Sequence, residues 1–108
     1  MPEPRDAGRR ERFVAHVDAE LQGLIPGYLE NRRRDIQSLR EALEQGDYET
    51  ARLLGHRMKG TGGGYGFHAI TDIGRSLEQA ADTRDPARIR ALVDELSTYL
   101  ERVEVVYE

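Results

Sequence analysis

The stretch His56–Gly66, with the sequence HRMKGTGGGYG, decides how the rest of the chain is interpreted. It carries five of the chain's 11 glycines, at positions 60, 62, 63, 64 and 66. Apolar residues recur through it at helical spacing, which favours one long amphipathic helix. Each glycine inside a helix costs about 0.8–1 kcal/mol relative to alanine, so four at positions 60–64 would cost about 3–4 kcal/mol. We therefore expect a bare backbone beside His56 and Lys59 to serve a purpose of its own.

Helical geometry separates this stretch into a core face and an exposed face. One stripe, apolar apart from a threonine, should face the core and consists of Ala51, Leu54, Met58, Thr61 and Tyr65. His56 falls roughly opposite that stripe, and Lys59, Gly60 and Gly63 share its face at i+3, i+4 and i+7. The pattern predicts an exposed imidazole beside an ammonium, with no bulky side chain to obstruct an approaching partner.

Length and composition indicate one small helical domain. The chain has 108 residues, of which 38% are hydrophobic and 33% charged, with no tryptophan and two phenylalanines. The formal net charge of −4 argues against nucleic acid as the main ligand. The absence of cysteine excludes disulfides and thiolate chemistry. No apolar run approaches the roughly 18 residues of a membrane span, and the start does not resemble a signal peptide, so we expect a cytoplasmic location without membrane contact.

The first part of the chain is expected to precede the main helices. Residues 1–12 are rich in proline, arginine and aspartate and should be disordered. Phe13–Val17 alternates weakly and suits a short extended segment, after which Asp18 should cap a short helix over Ala19–Leu24. We therefore divide the chain into a flexible or extended lead-in, residues 1–17, and a helical bundle, residues 18–108.

Four main helices follow from capping residues and apolar periodicity. The first should run to about Gln45, with Gly46 behind its C-terminus. Asp47 should cap the helix that carries His56, and Gly66 should close it. Asp85 and Pro86 should begin the last helix, whose inner face extends as far as Val103. Because the connections are short, we expect an all-α, up-down antiparallel four-helix bundle with a short extra N-terminal helix.

Over about residues 27–105 the chain resembles the histidine-containing phosphotransfer (HPt) domain family. The family pattern is His-x-Met/Leu-Lys-Gly, then a tract of small residues and a glycine ten positions after the histidine. The matching positions here are His56, Met58, Lys59, Gly60 and Gly66, continued by Leu77 and Glu78 on the next helix. One departure is Gly55, which stands where the residue before the histidine is usually alanine.

The resemblance implies that the protein is a phosphorelay carrier. His56 would accept a phosphoryl group from an aspartyl phosphate on a receiver domain and pass it to the aspartate of another receiver. In the family the reacting atom is Nε2. Lys59 would stabilise the phosphoryl oxygens as a nearby cation. The receiver docking face would comprise Gly60, Gly63, Arg75 and Arg52.

Counting along the helices places Glu78 near His56. His56 lies ten residues before Gly66 and Glu78 lies twelve after it. At about 1.5 Å per residue, the two should be roughly level on adjacent antiparallel helices. The resemblance implies that such a carboxylate accepts the other ring N–H, which fixes the tautomer and raises the basicity of the ring.

The expected partners are response-regulator receiver domains and, as a further candidate, a hybrid histidine kinase. Mg²⁺ would belong to the receiver, and on this chain, which should be monomeric, we expect neither a metal nor a cofactor. The chain has no Walker or kinase motif, so it should be an intermediate in phosphoryl transfer and not an ATP-using kinase. The alternative function is a non-catalytic docking module that binds receiver or kinase domains without being phosphorylated.

Overall fold

Four α-helices make up most of residues 13–108, the part of the chain that the computed structural model describes. The helices are α1 (Ile25–Gln45), α2 (Tyr48–Thr61), α3 (His68–Asp82) and α4 (Pro86–Arg102). Two strands, β1 (Phe13–Val17) and β2 (Val103–Tyr107), precede and follow them along the chain. Short 3₁₀ helices cover Ala19–Leu24 and Gly63–Tyr65. The predicted disorder of residues 1–12 lies outside the described residues.

Side-chain caps fix where the helices begin, as the sequence predicts. The carboxylate of Asp47 accepts the backbone N–H of Thr50 at 3.0 Å at the start of α2. Asp85 accepts the N–H of Arg88 at 3.0 Å at the start of α4. Gly46 ends α1 in the left-handed conformation, with a φ of 65°. These predictions are confirmed, and the capping residues determine where the helices begin and end.

The helix that carries His56 ends earlier than predicted. α2 stops at Thr61, and a 3₁₀ turn over Gly63–Tyr65 leads to Gly66. Of the glycines at 60–64, only Gly60 lies inside the α-helix, so the expected cost falls to about 1 kcal/mol. Gly66 has a φ of 94°, and a Cβ there would lie 2.5 Å from the carbonyl oxygen of His16. Gly66 is thus required by the turn and by its contact with β1.

The predicted helical bundle is confirmed, and a parallel pairing of β1 with β2 adds two short strands that the all-α prediction did not include. The register runs from Phe13 opposite Val103 to Val17 opposite Tyr107. Ala15 and Val17 are buried in the same core as the helices. Residues 13–17, predicted as part of a lead-in, therefore pack as part of the bundle. α4 ends at Arg102, so Val103 is a strand residue and not the last inward residue of a helix.

The segment between β1 and α1 is a 3₁₀ helix, where the sequence suggested a short separate helix. Asp18 caps it by accepting the N–H of Glu20 at 2.9 Å. The segment leads directly into α1, where Pro26 occupies the first turn, a position that needs no backbone N–H.

The most extensive helix contact joins α2 to α3, and glycines permit it. A Cβ on Gly55 would lie 2.8 Å from the carbonyl oxygen of Gly74, and a Cβ on Gly74 would lie 2.5 Å from the backbone nitrogen of Lys59. Such distances leave no room for a side chain, so the two backbones touch where these glycines meet. The helices run in opposite directions there, because Gly55 adjoins Leu77 whereas Gly62 adjoins Thr71.

Fully buried apolar side chains from all four helices form one core with the inner face of β1. They include Leu39, Met58, Ile70, Leu77 and Leu96. Within residues 13–108, no helix combines the length and the apolar character that crossing a membrane requires.

Candidate functional site

His56 lies on the exposed face of α2, as predicted. Its side chain is 59% exposed. The residues expected on the opposite stripe, Ala51, Leu54 and Met58, are buried. At the end of the stripe the pattern weakens, since Thr61 is exposed and Tyr65 is only partly buried. The imidazole is therefore presented to solvent by a helix whose other face is held in the core.

Glu78 of α3 contacts the imidazole directly. Its Oε2 lies 3.0 Å from Nδ1 of His56, whereas the side chain of Glu78 is only 18% exposed. The Gly55–Gly74 contact brings the two helices to this distance, since a Cβ on Gly55 would meet the backbone nitrogen of Glu78 at 2.8 Å. The proximity expected from counting along the helices is therefore present.

Lys59 completes the cluster from one turn further along α2. Its Nζ lies 2.7 Å from Oε1 of Glu78, so the carboxylate uses one oxygen for the ammonium and the other for the imidazole. These hydrogen bonds, first that from Lys59 and then that from His56, hold the pKa of Glu78 below its usual value. An ionised carboxylate can only accept, so Nδ1 of His56 carries the ring proton in this contact. In the neutral imidazole, Nε2 is then the nitrogen with the free lone pair.

Thr71 of α3 connects to the end of α2 through hydrogen bonds, a role that the sequence did not predict. Its Oγ1 accepts the N–H of Gly63 at 2.7 Å and donates to the carbonyl oxygen of Lys59 at 3.2 Å. Gly62 packs against the same residue, because a Cβ there would lie 2.6 Å from the Thr71 nitrogen. The only available signal was the place of Thr71 just after the turn at Gly66, which by itself does not indicate a hydrogen bond.

The two glycines assigned to the docking face have different surroundings. Gly60 is exposed, and a Cβ there would meet nothing within 4 Å. A Cβ on Gly63 would lie 3.5 Å from the His68 ring and from the Thr71 hydroxyl, which is ordinary contact. Of these two glycines, Gly60 is the one with open space where a side chain would stand.

The two arginines assigned to the docking face bind carboxylates on their own helices. Arg52 contacts Glu49 at 2.6 Å, and Arg75 contacts Asp72 at 3.2 Å. Neither forms an ion pair with the His56–Glu78–Lys59 cluster. Within the described residues, no three His, Asp or Glu side chains group as metal ligands.

The described residues thus form a helical bundle in which an exposed histidine is hydrogen-bonded to a carboxylate of the neighbouring helix. In agreement, the sequence model of the Hpt domain family matches residues 11–105. The chain belongs to the Hpt domain family, whose members transfer phosphoryl groups in phosphorelays and interact with receiver or kinase domains. The match begins before β1 and so extends beyond the resemblance at residues 27–105. Neither a curated protein nor a solved structure matches the chain significantly.

Proposed function

We propose that the protein is a phosphorelay carrier in which Nε2 of His56 takes a phosphoryl group from the aspartyl phosphate of one receiver domain and gives it to the aspartate of another. The observation that carries this proposal is the hydrogen bond between Nδ1 of His56 and Glu78. Because that bond occupies Nδ1, the nitrogen with the free lone pair is Nε2, on an imidazole that is largely exposed.

The transfer needs no proton to leave the histidine. Nε2 attacks the phosphorus, an N–P bond forms, and the bond between phosphorus and the receiver's carboxyl oxygen breaks, which releases the aspartate as a carboxylate. Nδ1 keeps its proton, so the phosphorylated ring becomes cationic, and the negative charge of Glu78 beside it stabilises that cation. Transfer to the second receiver reverses these changes.

In this proposal Lys59 shares in the charge balance of the transfer. Its ammonium is bound to Glu78 and lies one turn beyond His56 on the same helix. A phosphoryl group on Nε2 brings anionic oxygens that compete with Glu78 for the ammonium, and charge-assisted hydrogen bonds of this kind are strong. In this proposal Lys59 stabilises the phosphoryl group, while the Mg²⁺ that assists transfer is held by the receiver.

The test is a transfer reaction from receiver domains phosphorylated with acetyl phosphate and Mg²⁺. Wild-type protein should acquire an acid-labile, base-stable label, and His56→Gln should acquire none. His68→Gln is the matched control, since it removes another exposed histidine and should leave the label unchanged. Label retained in His56→Gln would contradict the assignment. Receiver binding without any label would instead indicate the non-catalytic docking module.

A further inference from the structure

An exposed leucine lies beside the candidate phosphoacceptor. Leu53 is 41% exposed and precedes His56 by three positions, Arg57 by four and Gly60 by seven, so these residues share one face of α2. Within residues 13–108, the other large apolar side chains with such exposure lie on the two strands or in a 3₁₀ helix, at Val14, Leu24 and Val106. An apolar side chain left in water on the histidine helix gains free energy when a partner covers it.

The two flanks of His56 differ in how their cations are paired. On the flank towards α3, each cation already binds a carboxylate, in the pairs Lys59–Glu78, Arg52–Glu49 and Arg75–Asp72. On the other flank, Arg57 is exposed, and its side chain makes no ion pair or hydrogen bond within the described residues. Arg57 lies on the side of α2 towards α1, because Thr61, four positions later on that side, forms a 3.2 Å hydrogen bond with Tyr28 of α1.

This difference decides which flank a receiver can cover more favourably. Binding a carboxylate to Arg52 or Arg75 requires the arginine to exchange an existing partner, so little is gained. A carboxylate that meets Arg57 forms a new ion pair, and opposite charges at an interface also speed encounter. Covering Leu53 removes exposed apolar surface from water, which adds a favourable contribution to docking on this flank.

We propose that the receiver docks on the α1 flank of His56, with Leu53 as its apolar anchor and Arg57 as its ion-pairing group. The inference rests on the proposed carrier function and replaces the expected contribution of Arg52 and Arg75 to the docking face. It requires a receiver surface with an apolar patch next to a carboxylate. Gly60, which has open space around it, lies on the same flank and lets that surface approach the imidazole.

The test compares transfer kinetics of Leu53→Ala and wild type, with the receiver that labels wild type fastest among a set phosphorylated with acetyl phosphate and Mg²⁺. Leu53→Ala should raise KM for the receiver about tenfold, because less apolar surface is buried on docking, and should change kcat by less than about twofold. Val106→Ala is the matched control, because Val106 is 42% exposed but lies on β2, and its KM should equal that of wild type. Unchanged melting temperatures for both variants should show that folding is not involved.

A separate variant tests Arg57, the ion-pairing group of the proposed docking surface. Arg57→Gln should raise KM about threefold at low salt and less at about 0.5 M salt, because exposed charges are screened. Arg52→Gln and Arg75→Gln should each change KM by less than about twofold, since their arginines are already paired. A larger effect for either of them than for Arg57→Gln would overturn the choice of flank.

The failure of this inference is distinguishable from failure of the carrier function. If wild type is labelled on His56 but Leu53→Ala keeps the wild-type KM, the docking surface is refuted and the carrier function stands. If none of the receivers labels wild type, both are refuted. If sedimentation shows a wild-type dimer that Leu53→Ala abolishes, Leu53 contacts a second copy of this chain and the receiver assignment is overturned.

Discussion

Gly74 and Gly60 are both helical glycines near the candidate site, yet their surroundings are opposite. A Cβ on Gly74 would lie 2.5 Å from the Lys59 nitrogen and 2.6 Å from the Gly55 carbonyl oxygen, whereas a Cβ on Gly60 would meet nothing. The fold therefore needs glycine at position 74 and has no use for it at position 60. The comparison distinguishes Gly74, which allows α2 and α3 to approach each other, from Gly60, which leaves the surface beside His56 accessible.

The two requirements are physically linked through His56. The Gly55–Gly74 contact brings α3 close enough for Glu78 to hold Nδ1 of His56 at 3.0 Å. The same α2 helix then presents Nε2 outward, where Gly60 adds no side chain. Substitutions at the two kinds of glycine should accordingly change stability and transfer in different directions.

The largest expected effect is that of Gly74→Ala on stability. Its methyl group would collide with backbone atoms that cannot move independently, so we expect a loss of about 2–3 kcal/mol. The melting temperature should fall by roughly 10–20 °C. Gly27→Ala, in open space on α1, is the control and should not destabilise. An unchanged melting temperature for Gly74→Ala would show that the helices do not touch there.

Gly60→Arg should have the next largest effect, on transfer and not on folding. The side chain has room within the protein but would occupy space that a receiver needs, so we expect transfer to slow by about tenfold or more. The helix itself should become slightly more stable, since arginine is a better helix former than glycine. Normal transfer in a folded Gly60→Arg protein would place the docking surface elsewhere.

Gly60→Ala separates the effect of position 60 on helix stability from the steric effect of a long side chain on receiver docking. We expect it to stabilise the fold by about 0.8–1 kcal/mol, with transfer close to that of wild type. Gly63→Ala should gain less, because Gly63 lies beyond the end of α2 and its Cβ would contact His68 and Thr71. Urea denaturation of the three proteins measures the difference, and a loss of stability in Gly60→Ala would show that α2 is broken at that position.

The smallest effect is the pH dependence that Glu78 contributes. Since the folded state lowers the pKa of Glu78 below its ordinary 4.5, its stabilisation is present above that value and lost as pH falls through the folded pKa. Wild type should therefore exceed Glu78→Gln in urea midpoint at pH 7, and the gap should narrow progressively as the pH falls below 4.5. A gap that did not narrow at all on acidification would mean that the ionised carboxylate is not its source.

Local signals in the sequence predicted much of this fold. Caps such as Asp47 and Asp85, and the glycine at Gly46, set helix ends by bonds to residues a few positions away. The proximity of His56 and Glu78 also follows from local geometry, because a short turn forces the residues on either side of it into register.

What the sequence did not predict depends on contacts that no local pattern records. Pairing β1 with β2 joins Phe13 to Val103, and Val103 fits the apolar stripe of α4 equally well. The Glu49–Arg52 ion pair is an exception, because its i,i+3 spacing is visible in the sequence. The glycine tract reads as one feature in the sequence, although the close approaches at Gly62 and Gly66 are set by α3 and β1.

The most direct test of this account is a long-range ¹H–¹⁵N correlation spectrum of the protein labelled at histidine nitrogens, before and after phosphorylation by a receiver. The account predicts that His56 has its proton on Nδ1 at rest and carries the phosphoryl group on Nε2. A phosphoryl group on Nδ1, or a labelled protein in which His56 is unmodified, would contradict it.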